Sequence, residues 1–283
     1  MRMTQLVSKL GKKIAVVQMT ADPRGRSETI KKALNFIDEA ASRKASLVVL
    51  PEVFNMKYSD FVGKYDTKIY ERAESIPGPT IDMVAEKARI HEIHIVAPIF
   101  EKAMAGEYYD TAALIGPDGK MMGRYRKTHI PGFGIWLERF YFRPGSEHNV
   151  FKTPIGTLGM LVCWDRHFPE NWRMLTMKGA ELIVVPAAIP RFDVETVEYV
   201  TRTRALENGV YAAVACRPGN EGSIKYTGSS LIVGPTGKIL AKAGIEEETV
   251  IYAEIDPKEI ENARLEKPFL RDLRSELFGR ISA

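Results

Sequence analysis

Short, continuous apolar runs alternate along this chain with stretches in which apolar residues recur every three or four positions. KIAVVQM (13–19), SLVVLPE (46–52) and HIVAPIFEK (94–102) are apolar runs of strand length, as expected for strands covered on both faces. Between the first two, Ile30, Ala33, Leu34, Ile37, Ala40 and Ala41 form a helical stripe, with Ser27 as the candidate N-cap. A second helix is expected over 80–90, and DTAALIGPDGKMMGRYRK (110–127) reads as a hairpin turning at GPDGK. The same order then recurs. GTLGMLVC (156–163) is a strand, and 169–178 a helix with Pro169 near its start and Gly179 at its stop. ELIVVPAA (181–188) is a strand, 193–208 a helix closed by Gly209, and VYAAVAC (210–216) a strand. GSSLIVGPTGKILAKAG (228–244) is a second hairpin.

Two rounds of strand, helix and hairpin predict one α/β domain of stacked sheets with helices outside. LIGPDGK (114–120) and LIVGPTGK (231–238) are either an echo of two similar halves or a coincidence of common Pro-x-Gly turns. No G-x-G-x-x-G follows the first strand, which argues against a dinucleotide site. Residues 1–12 read as an exposed basic tail, with a presequence as the weaker alternative, and 13–256 as the domain. A C-terminal helix and tail, 257–283, would pack on the domain or on a partner subunit.

Composition adds limits. The 283 residues are 45% hydrophobic and 27% charged, ordinary for a globular chain. A net charge of +4 with mixed signs lacks the clustered Lys and Arg of a nucleic-acid footprint. No apolar stretch approaches the roughly 18 residues of a membrane span, so neither nucleic acid nor membrane is an expected partner. Two cysteines, Cys163 and Cys216, make no disulfide framework, and a cytoplasmic setting is expected.

Candidate chemistry gathers at strand ends. Cys163 closes an apolar run in LVCWDRHFPE (161–170) and is either a buried filler or a nucleophile at a turn whose N–H groups could bind developing charge. There a nearby lysine would depress its pKa. Cys216 also ends a strand, but RPGNEG follows with no helix start, so it reads as structural. Glu52 is either an ordinary strand-end carboxylate or a functional one. Lys127 belongs to the basic run GRYRKTHIP, of which one lysine would face inward. Glu138 stands among aromatics in WLERFYFRPG, either on a rim or in an apolar pocket that raises its pKa. His91 and His94 fall one residue short of the H-E-x-x-H zinc spacing. His129 or His167 could instead pair with Cys163 in a cysteine–histidine dyad.

LPE at 50–52, YRKTHIP at 125–131 and LVCWDRHFPE at 161–170 resemble the Glu, Lys and Cys boxes of the nitrilase, or carbon–nitrogen hydrolase, superfamily. AVVQM, ERFYFRPG, RALENGVY, GSSLIVGPTGK and the C-terminal ARLEKPFLRDLRSELF fit in the same order, so the likeness spans nearly the whole chain. The resemblance implies a four-layer αββα sandwich that pairs into dimers or larger homo-oligomers, with no cofactor and no metal. It implies Glu52 as general base, Lys127 and the Trp164 backbone N–H as oxyanion donors, Glu138 as a positioning carboxylate and Cys163 as nucleophile. DRHFPE is most similar to the branch hydrolysing N-carbamoyl amino acids such as N-carbamoyl-β-alanine. Arg166 would then grip the substrate carboxylate, with His129, His167 and Tyr58 helping to shape the pocket. Carbamoylputrescine-type enzymes, ω-amidases and nitrilases are the alternatives, and a non-catalytic assembly subunit is a second. Lys57–Tyr58 and Cys216–Gly219 depart from the common pattern and leave the substrate open.

Overall fold

The computed structural model describes residues 12–280. The basic tail expected over 1–12 lies outside the described residues, apart from Lys12. The first sheet has the order β14-β1-β2-β3-β4-β5. Its strands are β1 (Lys12–Gln18), β2 (Leu47–Val49), β3 (His94–Met104), β4 (Glu107–Ile115), β5 (Met121–Arg126) and β14 (Thr249–Ile255). The second sheet has the order β13-β12-β9-β8-β7-β6. It is built from β6 (Val150–Thr153), β7 (Gly156–Met160), β8 (Leu182–Ala187), β9 (Tyr211–Cys216), β12 (Leu231–Val233) and β13 (Ile239–Lys242). A two-stranded ribbon, β10 (Asn220–Glu221) and β11 (Ile224–Lys225), stands apart.

Both sheets have the same plan. Three central strands run parallel, two more return as an antiparallel hairpin, and one antiparallel strand closes the other edge. Helices α1 (Arg26–Ser42) and α2 (Pro79–His91) link the strands of the first half, and α4 (Pro169–Met177) and α5 (Val194–Asn208) those of the second. The two Pro-x-Gly hairpins are equivalent in detail. Gly116 N–H donates to Lys120 and Gly119 N–H to Gly116, while Gly234 and Gly237 repeat both bonds to Lys238 and Gly234. The echo of LIGPDGK and LIVGPTGK is therefore a repeat of structure.

Alternation along β1 shows the layers. Ala15 and Val17 pack with Ala33, Ile37 and Ala40 of α1 and with Ile81, Val84 and Ala88 of α2. Ile14 and Val16 point the other way, into a core shared with Leu158, Met160, Val214 and Leu231 of the second sheet. Helices outside and two sheets inside make the fold an αββα sandwich in one domain.

Some local expectations are corrected. Helix α1 starts at Arg26, so Ser27 lies within its first turn and Gly25 takes the cap position without a side-chain bond. Gly25 has φ of 125°, a conformation that a residue with a Cβ rarely adopts, and this turns the chain into the helix. The apolar run 46–52 leaves the sheet after Val49, which frees Glu52 from the ladder. His91 pairs with Asp38 while His94 is buried in β3, so the two histidines do not share a surface. At the C-terminus α6 (Pro257–Glu266) docks through Arg264, whose Nε and Nη2 donate to Gly209 and Ala180 carbonyls at 3.1 and 3.2 Å.

Candidate active site

Strand β7 delivers Cys163 to a turn. The chain leaves the sheet at Leu161, Cys163 takes φ of 43°, and a 3-10 turn over Cys163–His167 runs into α4. A non-glycine residue in this left-handed region is strained and persists only where its surroundings fix it. Asp165 does so here. Its Oδ2 accepts from Val162 N–H at 3.1 Å and from the Tyr125 hydroxyl at 2.7 Å, and its Oδ1 accepts from His129 N–H at 2.8 Å. One fully buried carboxylate thus ties the Cys163 turn to the segment that carries Lys127.

Lys127 follows β5 and is fully buried. Its Nζ donates to Glu52 Oε1 at 2.8 Å and to Glu138 Oε2 at 2.5 Å, and lies 3.5 Å from Asp110 Oδ2. Burial opposes the Lys127 charge, but Glu138 and then Glu52 outweigh it and keep the ammonium charged. Glu52, Asp110 and Glu138 place one oxygen each within 4.8 Å of one another, a set able to hold a metal, and the ammonium already stands among them.

Each carboxylate is held separately. Glu52 Oε2 accepts from Ala188 N–H at 2.7 Å at the end of β8. Behind it, the Arg217 guanidinium binds the carbonyls of Glu52, Val53 and Met56, steadying a turn in which Val53 has φ of 45°. Glu138 opens the four-residue helix α3 (Glu138–Tyr141) and accepts the Tyr58 hydroxyl on Oε1. Burial pushes its carboxyl up to about 7, against the pull of Lys127 and with Glu52 adding to the rise. Beneath α3, Phe61 contacts Phe100, Tyr141 and Phe142 at ring distances of 5.3, 5.3 and 4.8 Å, a stiff aromatic base.

A cavity of about 260 Å³ opens over Cys163. Glu138 and Cys163 are on its surface, Phe133, Trp136, Trp164 and Phe192 form aromatic wall, and Arg166, His167 and Asp193 supply polar groups. Glu52 and Lys127 do not line it but connect to it through Glu138, which Lys127 bonds. Arg166 is buried, and its guanidinium binds the Cys163 carbonyl at 3.2 Å and the Asp193 carboxylate, leaving Nε without a partner. His167 Nε2 is 3.7 Å from the same Asp193 carboxylate. Burial works against the Asp193 charge, but His167, Thr196 and Arg166 hold its carboxyl below the ordinary range.

A carbon–nitrogen hydrolase model matches residues 13–265. The chain belongs to the carbon–nitrogen hydrolase family. The human protein named omega-amidase NIT2 is 35% identical over 265 residues, covering 90% of this chain and 92% of its own. A nitrilase of Pyrococcus abyssi is 35% identical over 277 residues, covering 95% and 99%. The crystal structure of a carbon–nitrogen hydrolase from Helicobacter pylori superposes with a TM-score of 0.90 at 32% identity, over 96% of this chain and 98% of that one.

In this carbon–nitrogen hydrolase the residues expected at the site divide into two groups. Glu52, Lys127, Glu138 and Cys163 are brought together, with Arg166, His167 and Trp164 on the cavity wall. Tyr58 and His129 are not among the lining residues. The Tyr58 hydroxyl is spent on Glu138, and His129 stacks on Phe168 at 3.7 Å while bonding Asp165. Neither His129 nor His167 hydrogen-bonds Cys163 among the described residues, so the dyad has no geometry behind it. The expected fall in the Cys163 pKa is also corrected. Burial and then the Glu52 charge push the thiol well above its ordinary value, outweighing Lys127 and Arg166. Cys216 is fully buried, its thiol pushed up to about 12 by burial. Lys57 is exposed and lines a separate cleft with Arg26, Asp60 and Arg72.

Three residues escaped the sequence reading. Asp165 has no role of its own in the pattern of the cysteine box, and Arg217 enters only within the departure at Cys216–Gly219. Asp110 was absorbed into a hairpin, although a carboxylate in the otherwise apolar strand DTAALI is a signal in itself.

Proposed function

We propose that this hydrolase releases ammonia from the terminal carboxamide of a small amide bearing a carboxylate, with Cys163 as nucleophile. The observation that carries the reading is the buried Glu52–Lys127–Glu138 cluster, whose Glu138 lines the cavity together with Cys163. Because the thiol stays protonated in its buried site, attack needs a base at the moment of bonding. Glu52 takes the thiol proton as Sγ bonds the carbonyl carbon. Lys127 and the Trp164 N–H, free at the start of the 3-10 turn, stabilise the oxyanion. Glu52 then passes its proton to the departing nitrogen, the C–N bond breaks, and ammonia leaves a thioester. Water attacks that thioester with Glu52 again taking the proton, and the acid departs as Cys163 regains its hydrogen.

For substrate, the cysteine box alone ranks N-carbamoyl amino acids first. The omega-amidase relative, matched over 90% of the chain, supports the ω-amide alternative instead. Both substrates carry a terminal CONH2 and a distant carboxylate, and they differ by an NH beside the carbonyl that makes a ureide less electrophilic. Arg166 and His167 are the donor-bearing side chains on the wall that suit the carboxylate end.

The isosteric pair glutaramate and N-carbamoyl-β-alanine tests the proposal by ammonia release. Expected is faster release from glutaramate, with a Cys163→Ala loss of at least about 10³-fold in kcat. Preference for the ureide overturns the substrate assignment, and a fully active Cys163→Ala variant overturns the nucleophile.

A further inference from the structure

Asp110 lies on β4, is fully buried, and both its oxygens lack a hydrogen-bond donor. The groups facing it are Lys127 from the end of β5, Glu52 from the turn after β2 and Glu138 from α3. Lys127 Nζ is 3.5 Å away, and its two short bonds go to Glu52 and Glu138 instead. A carboxylate taken out of water with no donor cannot keep its charge at reasonable cost, least of all beside two more carboxylates. Protonated, the same group becomes a donor, and Glu52 is the acceptor beside it, with a Glu138 oxygen within 4.8 Å.

We propose that Asp110 is a neutral carboxylic acid that donates its O–H to Glu52 and so acts as a positioning residue for the base. Three consequences follow from the geometry. The proton sits between Asp110 and Glu52, and Glu52 remains the anion of the pair. Glu52 is gripped on three sides, by Lys127, by Ala188 N–H and by Asp110. The third N–H of Lys127, which an ionised Asp110 would capture, stays available for the oxyanion. Burial first and then the charge of Glu52 drive the Asp110 carboxyl well above the ordinary range, with Lys127 opposing, in keeping with this arrangement. The role deepens the mechanism above and rests on Glu52 as base, whereas the protonation itself does not.

The test has two arms. Infrared difference spectra of the full chain, labelled with carboxyl-13C aspartate, read the protonated C=O stretch at neutral pH without substrate. Expected is an isotope-sensitive band that shifts in D2O and is missing from Asp110→Asn. Kinetics on the better amide of the pair form the second arm. Asp110→Asn, isosteric and still a donor, should keep kcat/KM within about threefold. Asp110→Leu should lose about tenfold or more in kcat with KM nearly unchanged. Absence of the band, or a loss above about tenfold in a folded Asp110→Asn, overturns the proposal. If neither amide is turned over, the proposed function fails while the band still decides the protonation.

Discussion

At the residue scale, the site is a problem of placing like charges together in the dark. Glu52, Asp110 and Glu138 surround one ammonium, and each meets the cost differently. Glu52 accepts two strong hydrogen bonds, Asp110 has no donor, and Glu138 is shared between Lys127 and Tyr58. Glu138 titrates at about 7 in the fold against an ordinary 4.5. Between those values the folded chain holds a proton that the unfolded chain has released, so the Glu138 contribution to stability falls as pH rises through that window and levels off above it. Replacing the group by Gln removes this slope. Urea unfolding of wild type and Glu138→Gln from about pH 5 to 8 should show their difference moving against wild type with rising pH, by about 3 kcal/mol at most. Parallel curves would refute the raised carboxyl.

At the element scale, each half of the molecule uses a hairpin whose tip touches its second helix. Gly119 and Gly237 have φ of 76° and 78°. A Cβ on Gly119 would meet the Ala85 carbonyl of α2 at 3.0 Å, and one on Gly237 the Arg202 carbonyl of α5 at 3.2 Å. Glycine is required at both positions for the same two reasons, conformation and close approach. Gly119→Ala and Gly237→Ala should each destabilise by about 1–3 kcal/mol and should match within about 1 kcal/mol, read from denaturant midpoints. A cost confined to one half would break the equivalence. The turns holding the chemistry are secured differently, from behind. Arg217 ties the Glu52 turn to Glu221, and Asp165 joins the Cys163 and Lys127 segments. Removing either would leave buried partners unpaired.

At the scale of the whole molecule, the outer helices leave large apolar side chains in solvent. Met174 and Met177 of α4 and Tyr199 of α5 are 44%, 59% and 63% exposed. Apolar surface of this kind is a common feature of association faces. Pairing is the expectation that the family likeness brings, and light scattering on the eluted protein should give at least twice the 31.8 kDa chain mass. A mass of one chain at micromolar concentration would overturn it. No described helix is long and apolar enough to cross a membrane.

Local patterning in the sequence sufficed for the central strands, the long helices and the two hairpins, because strands covered on both faces must be apolar throughout and helices need one apolar stripe. The closing edge strands β6 and β14 were not among the expected elements. Glu52, Lys127, Glu138 and Cys163 were each left open by local patterning and were marked as a set by the resemblance of short contiguous boxes to one family. Their meeting is a different matter. Glu52 and Lys127 are 75 residues apart and bond at 2.8 Å only because β2 and β5 run the same way in the first sheet and end at one edge. Whether Tyr58 faces the cavity or braces Glu138 depends on packing that no local pattern encodes, and so does the pairing of Arg166 with Asp193. The thiol shows the point most plainly. Lysine nearby implied a lowered pKa, but burial depth decides the sign, and depth is a property of the whole fold. The sequence by itself determined which groups are the candidates for the chemistry. Tertiary structure alone decided their charge states, because those depend on how far each group is removed from water and on which distant partners surround it.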